Sequence, residues 1–363
     1  MQKVLLLVPT LDRSGAEKQL TLLATHLPRD LFDIQVVALD RGGPFESELK
    51  VHEISVTTLN KRTKLDLSAL RKLRNLILDW KPDVILSWLF SANAYARLAT
   101  IRISPKPRVI ISERCVDLWK SSWQHGVDWL LQSRADVLMA NSQSVADYYQ
   151  GRGFPAGKIS VIPNAVEVPP APATTREQFC AELDLSAETR LVGFAGRLAK
   201  QKRIPDMLWA AQVLRQAVPN TCFDIIGDGP ERDELQIRAE QLEVSEYCRF
   251  LGHREDAASL LHHLDVFWLA SEYEGMSNSL MEAMACGKPV VVSDIPANRE
   301  LVTHNENGFV ADLGDSIAFS QFTQKLFEDA ELASRLGEAG RQRLQSEFSV
   351  SRLIQRFQDL AAH

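Results

Sequence analysis

The 363-residue sequence predicts an α/β protein built from two doubly wound domains, and three observations carry that expectation. Short apolar runs alternate with amphipathic stretches through both halves of the chain. A proline-rich break separates the halves, and the length leaves room for two domains with substantial cores.

In the first half the apolar runs are Val4 to Val8, Ile34 to Leu39, Val84 to Leu86, Val109 to Ile111, Val137 to Ala140 and Ile159 to Ile162. Between most of them lie stretches such as Leu67 to Trp80, whose apolar residues recur at helical spacing. That alternation predicts a parallel sheet covered by helices. From Asn164 to Thr175 the pattern breaks, with Pro169, Pro170 and Pro172 among small residues, which reads as a linker. Alternation resumes with Leu191 to Ala195, Phe223 to Ile226, Val266 to Ala270 and Val290 to Val292. The expected domains are therefore 1-168 and 169-348, with a last amphipathic segment, Val350 to Leu360, inside 349-363. Two such domains would face each other across a cleft, with the functional residues just beyond the carboxyl ends of the strands.

Composition narrows the function. A hydrophobic fraction of 45% and a charged fraction of 24% are those of an ordinary folded protein. A formal charge of −6 without a long basic block argues against nucleic acid as a partner. Cys115, Cys180, Cys222, Cys248 and Cys286 are scattered and form no C-x-x-C pair, and the eight histidines form no H-E-x-x-H. That is the pattern of a reducing compartment, with no metal site expected. Residues Met1 to Pro9 read as a first strand rather than a signal peptide, and no run is long enough to span a bilayer, so a cytoplasmic location is expected.

The most informative segment runs from Glu272 to Ala283. It follows the apolar run Val266 to Ala270 and precedes Leu280, Met281 and Met284 at helical spacing, so it predicts a strand, a turn and a helix start. Gly275 allows close backbone approach, Ser277 and Asn278 are good N-caps, and the helix would aim free N–H groups at an anion. Glu274 would sit at the mouth of the crevice, and Glu282 about two turns into the helix. Carboxylates accept hydrogen bonds from hydroxyls, so phosphate and sugar in one ligand fit the pattern.

With its tail Ala285 to Ser293, this segment resembles the signature of retaining glycosyltransferases of family 4, in which two glutamates are separated by seven residues. The resemblance implies the GT-B fold, two Rossmann-like domains across a cleft, with the terminal helix crossing back to the first domain. It implies transfer of a hexose from a nucleotide sugar, most readily UDP-linked, to a hydroxyl of a growing glycan with retention at the anomeric carbon and no bound metal or other cofactor. Glu274 would hold the transferred sugar and Glu282 the ribose, with Gly275, Met276, Ser277 and Asn278 along the sugar and diphosphate.

Other turns extend the likeness. Gly196, Arg197 and Lys202 follow the strand Leu191 to Ala195 and resemble the family's Arg-x4-Lys grip on the diphosphate, although Arg203 stands where that pattern often has glycine. Such cations would stabilise the charge of the leaving diphosphate. Lys200 and Arg203 read as a solvated helix face. Thr10 to Glu17 resembles the family's first loop, with Gly15 near the donor, though Ser14 capping a plain helix explains the residues nearly as well. Gly227 to Glu231 matches a Gly-Asp-Gly-Pro turn that contributes Gly229, and Arg232 stands where a dinucleotide fingerprint would need a third glycine. Phe250 to Arg254 resembles a base-recognition turn centred on Leu251, while His253 and Arg254 read equally as surface residues. Pro163 to Glu167 resembles the family's hinge.

Two regions stay open. At Val109 to Arg114 the family often places a histidine, and this chain has Glu113 and Arg114 instead, either of which could orient sugar or acceptor or form a structural ion pair. Trp119, Trp123 and Trp129, with Leu118, Leu130 and Leu131, read first as the packed side of a helix. The other reading is an amphipathic surface for a lipid-linked acceptor or for peripheral contact with the inner face of the cytoplasmic membrane. A nucleotide-sugar epimerase on the same plan and a silent nucleotide-binding subunit are the rival functions, and the resemblance points instead to bacterial surface polysaccharide or lipopolysaccharide synthesis.

Overall fold

The computed structural model describes residues 1–362, which form two compact units, one of Met1–Ala165 with the chain from Val350 onward, the other of Val166–Ser349. Each unit carries one parallel sheet between helices.

The first sheet has seven strands: β1 (Gln2–Val8), β2 (Phe32–Ala38), β3 (Ser55–Thr58), β4 (Val84–Trp88), β5 (Arg108–Glu113), β6 (Val137–Ala140) and β7 (Ile159–Val161). Their order is β3-β2-β1-β4-β5-β6-β7, so the direction of winding reverses between β1 and β4. β1 lies in register with both, Val4 opposite Ile34 on one side and Val84 on the other. Alternation across the pleat divides its apolar residues between two cores. Val4, Leu6 and Val8 join the helix Gly15–His26 on one face, while Leu5 and Leu7 meet the helix Leu67–Trp80 on the other. The helix Val350–Ala362 seals the first of these faces with Leu353, Phe357 and Ala361, and Phe357 stacks at a tilt on Phe32.

The second sheet has six strands: β8 (Arg190–Ala195), β9 (Thr221–Ile226), β10 (Cys248–Gly252), β11 (Val266–Leu269), β12 (Val290–Ser293) and β13 (Phe309–Ala311). Their order β10-β9-β8-β11-β12-β13 puts the reversal between β8 and β11. In open α/β sheets ligands bind beyond the carboxyl ends of the strands at such a reversal.

Three expectations are corrected. β3, β10 and β13 were not foreseen as strands; Phe250 to Gly252, read as a turn, completes β10 and only then leaves the sheet. The linker reading began too early, since Asn164 and Ala165 are buried in the first unit, where the Gln19 side chain bonds both backbone groups of Ala165 at 2.7 and 2.9 Å. The tryptophans are not core. Trp119, Trp123 and Trp129 are all more than half exposed, and the helix Ser122–Leu131 buries only Leu131.

Candidate functional site

The turns after β8, β9 and β10 pack backbone against backbone at one end of the second sheet. The Gly196 amide donates to the Ile226 carbonyl at 2.9 Å, and the Gly227 amide to the Gly252 carbonyl at 2.8 Å. Gly227 has φ +136°, and a β-carbon there would lie 2.0 Å from the Gly196 oxygen, so glycine is required on two counts. At Gly229 a β-carbon would lie 2.3 Å from the Leu198 oxygen. These contacts hold the chain after β8 flat against its neighbour, and Arg197 leaves it exposed to solvent.

From there a short 3-10 turn, Lys200–Lys202, leads to Arg203 and the helix Ile204–Ala217. Arg203 occupies the left-handed region, φ +49°, which is the conformation that glycine adopts most readily and that arginine here accepts. It is not a bare solvated cation, because its Nε bonds Asp206 Oδ2 at 2.6 Å.

The turn after β11 is bound to this one. The Glu272 amide donates to the Gln201 carbonyl at 2.8 Å, the Gln201 side chain donates to the Tyr273 carbonyl at 3.2 Å, and Lys202 Nζ meets Glu274 Oε1 at 2.5 Å. Lys202 and Glu274 are both largely buried, so their attraction is little screened by water. Gln201 went unnoticed in the sequence; its place between two cations of the turn is the only signal that pointed to it. The two turns at the sheet's reversal thus bring together Lys202 and Glu274, which are 72 residues apart.

Gly275, Met276 and Ser277 continue from Glu274 as buried backbone. Ser277 is the N-cap of the helix Asn278–Ala285, its Oγ accepting from the Leu280 amide at 3.4 Å. Since the helix begins at Asn278, Glu282 is its fifth residue, one turn along rather than two. It is half-buried. Leu251 falls where the pairing of β10 with β9 shifts register between Phe250 and Gly252. Arg254 is tied down by Glu182 at 2.6 Å and Asp256 at 2.9 Å, while His253 is exposed.

In the first unit, Gly15 opens its helix, but Ser14 does not cap it. The Ser14 hydroxyl donates to Glu17, which is 4% exposed and also accepts from Thr10 at 3.3 Å. Burial raises the Glu17 carboxyl above its ordinary range against the lowering pull of these bonds.

Glu113 and Arg114, adjacent at the end of β5, diverge. Glu113 turns inward to Lys120 at 3.3 Å and to Asn93 at 3.1 Å; burial pushes it up to about 7, although Lys120 pulls the other way. Lys120 also meets Asp117 at 3.0 Å and Asp128 at 3.1 Å, and Asp128 in turn pairs with Arg97 at 2.6 Å. Burial works to lower the Lys120 ammonium, and its carboxylates more than offset that, leaving it above its ordinary range. The cluster went unread in the sequence; Asp117 and Lys120, three positions apart, were its visible part. Arg114 donates only to neutral groups, the Asn164 side chain and Ser112 Oγ, and lies 6.0 Å from the centre of the Trp88 ring. Burial lowers its guanidinium to about 9, which leaves it charged at neutral pH. No carboxylate pairs with it among the described residues.

Comparisons with known proteins meet this geometry. Residues 175–343 match the family model described as glycosyl transferases group 1, and residues 13–168 the model described as glycosyltransferase family 4. The chain is 25% identical over 291 residues to the lipopolysaccharide core biosynthesis glycosyltransferase LpsD of Rhizobium meliloti, covering 80% of this chain and 78% of that protein. It is 25% identical over 351 residues, 92% of this chain and 90% of the relative, to an Escherichia coli enzyme named UDP-Gal:alpha-D-GlcNAc-diphosphoundecaprenol alpha-1,3-galactosyltransferase. Among solved structures, Anabaena HepE in complex with UDP-glucose superposes with a TM-score of 0.87 at 24% identity, over the whole length of both chains.

Proposed function

The chain belongs to the group 1, family 4 glycosyltransferases of the GT-B fold, and we propose that it transfers a hexose from a UDP-sugar to a lipid-linked glycan of the cell surface, with retention. The observation that carries this reading is the Lys202–Glu274 pair at the reversal point of the second sheet, one turn of chain before the helix that starts at Asn278. A diphosphate arriving there competes with Glu274 for the Lys202 ammonium. Lys202 and Arg197, with the helix N–H groups, then hold the phosphate charge, and Glu274 is released to accept bonds from hydroxyls of the hexose. Glu282 would take the ribose hydroxyls, and the backbone at Leu251 the base.

Transfer breaks the bond between the anomeric carbon and the diphosphate oxygen and forms the bond to the acceptor oxygen on the same face. The leaving phosphate takes the acceptor's proton, so atoms and charge balance without a further base. In this reading the two cations stand where a metal would otherwise neutralise the leaving group. Arg114, a guanidinium with only neutral partners, suits an acceptor that itself carries phosphate. The relatives named for lipopolysaccharide core synthesis and for a diphosphoundecaprenol-linked acceptor support that class.

The test is a thermal shift titration with UDP-glucose, UDP-galactose, UDP-N-acetylglucosamine and GDP-mannose. A true donor at about 100 times its dissociation constant adds ~2.7 kcal/mol of stability. One UDP-sugar should raise the melting temperature, and Lys202→Ala should abolish the shift. No shift with any UDP-sugar would sink the donor assignment, and isomerisation of a donor without acceptor would replace it with an epimerase.

A further inference from the structure

We propose that the face formed by the segments 61–72 and 116–134 of the first unit is a docking surface for an anionic lipid bilayer. The inference deepens the lipid-linked acceptor reading above, and rests on it for its biological use, but its physical basis is separate. Leu118, Trp119, Trp123, Trp129 and Leu130 lie within thirteen positions, and each is between 51% and 69% exposed. Leu65 and Leu67 in the neighbouring segment are 62% and 69% exposed. The two segments touch: the Lys64 ammonium lies 5.6 Å from the centre of the Trp123 ring, whose other neighbour is the edge-on ring of Phe90 at 5.5 Å. Among the described residues, three of the four tryptophans that stand more than 45% exposed belong to the second of these segments. A water-soluble surface normally avoids such a concentration of large apolar groups.

The charges select the occupant. The chain as a whole is acidic, with a formal charge of −6. On these two segments, however, every exposed charged side chain is a cation: Arg62, Lys64, Arg71, Lys72 and Arg134. The acids of the same segments are engaged elsewhere. Asp66 accepts from the Ser68 and Ala69 amides as a helix cap, and Asp117 and Asp128 are held by Lys120. Exposed tryptophan indoles and leucines in the company of lysine and arginine are what an interface between acyl chains and phosphate headgroups accepts, the rings at headgroup depth and the cations against the phosphates. A protein partner of ordinary composition would leave five cations to be matched one by one; a sheet of anionic headgroups matches them wherever they fall. Among the described residues no helix is long and apolar enough to cross a membrane, so the contact is lateral.

The test is co-sedimentation of the full chain with vesicles of equimolar phosphatidylcholine and phosphatidylglycerol, set against vesicles of phosphatidylcholine alone. Binding to the anionic vesicles should be at least about tenfold stronger and should weaken with added salt. Replacing Trp119, Trp123 and Trp129 together with Ser should reduce it by a further factor of about ten, whereas Trp209→Ser, at the exposed tryptophan of the second unit, should leave it unchanged. Arg62→Gln with Lys64→Gln should erase the preference for anionic lipid. UDP-sugar binding by the triple variant reports its folding and separates this proposal from the donor assignment, which fails only if the wild-type chain binds no UDP-sugar. Equal binding of wild type and triple variant, or equal binding of both vesicle types, would overturn the proposal. So would a wild-type dimer that ignores vesicles and that the triple variant turns into a monomer, since the face would then belong to a second copy.

Discussion

Lys202 in the second unit and Lys120 in the first both meet carboxylates near the carboxyl ends of a parallel sheet, yet they are built for opposite ends. Lys202 has one acid, Glu274, at 2.5 Å, and both side chains keep some access to solvent. Lys120 has three, at 3.0, 3.1 and 3.3 Å, a further bond to the Tyr149 hydroxyl at 2.7 Å, and a side chain with no exposure. A singly paired cation can exchange its partner for an incoming phosphate. A saturated one cannot, and its contribution is to hold β5 and the following loop together. What separates the lysine proposed to bind from the structural one is the number of its partners and not the presence of a salt bridge.

The largest expected effect tests that distinction from the structural side. Lys120→Met leaves the buried Glu113 and Asp117 and the half-buried Asp128 without their shared cation, and removing one partner from a buried ionic cluster costs about 3–5 kcal/mol. Urea unfolding should show the loss in full. A variant as stable as wild type would mean that Lys120 carries no more of the fold than Lys202 does, and the comparison would break.

The complementary substitution, Lys202→Met, should lower turnover by a factor on the order of 10²–10³, because the cation proposed to hold the leaving charge is gone. Its cost in stability should be smaller, about 1–3 kcal/mol, for one carboxylate left without its partner. Initial rates of UDP release with acceptor present, measured beside the urea midpoint, check both halves. Lost stability with intact turnover would reverse the roles of the two lysines.

The two regions also differed in how far they could be read from the sequence. The turns of the candidate site in the second unit were legible because each is a local feature of the chain. Gly227 and Gly229 stand where only glycine fits, Ser277 stands at a helix start, and each follows an apolar run closely enough to be placed by counting. The Lys120 cluster was not legible, because Glu113, Asp117, Asp128 and Arg97 converge only after β5 and two helices pack. Helical spacing of apolar residues likewise could not say whether Trp123 and Trp129 meet a sheet or solvent, since periodicity defines a face and not what covers it. The edge strands β3 and β13 escaped notice because each is only three or four residues long, and Ser55 to Thr58 carries three polar side chains.

The two units also bury carboxyls in different ways. Asp224, at the centre of β9, is fully buried, and its Oδ2 has no hydrogen-bond partner; burial pushes it up to about 7, against the lowering effect of the Cys222 thiol, which donates to Oδ1 at 3.6 Å. Glu113 also rises to about 7, but beside its lysine. A folded carboxyl raised above its unfolded value binds more protons in the folded state, so its stabilisation is complete below the unfolded pKa, near 3.8 for Asp224, and is lost as pH climbs through about 7. For Asp224 the loss should be roughly 2–4 kcal/mol between about pH 4 and pH 8. Asp224→Asn should flatten that part of the curve of unfolding free energy against pH. An unchanged slope in the variant would mean that Asp224 is already solvated, and that the pH response belongs to the Lys120 cluster alone.

A serine cap opens a helix in each unit. Ser142 caps the helix Gln143–Gly151 after β6, its Oγ accepting from the Val145 amide at 3.2 Å, and Ser277 caps Asn278–Ala285 after β11 in the same manner at 3.4 Å. Each hydroxyl satisfies one amide that the first turn of a helix would otherwise leave without a partner. Ser142→Ala and Ser277→Ala should therefore each cost about 1 kcal/mol, and the two melting temperatures should fall together. Their effects on ligand should not. The helix capped by Ser277 begins four residues after Glu274, so loosening its first turn disturbs the N–H groups proposed to face the diphosphate, and titration with UDP should show weaker binding in Ser277→Ala alone. Equal UDP affinity in the two variants would remove the helix start from the site and leave Lys202 and Arg197 as the only holders of the phosphates.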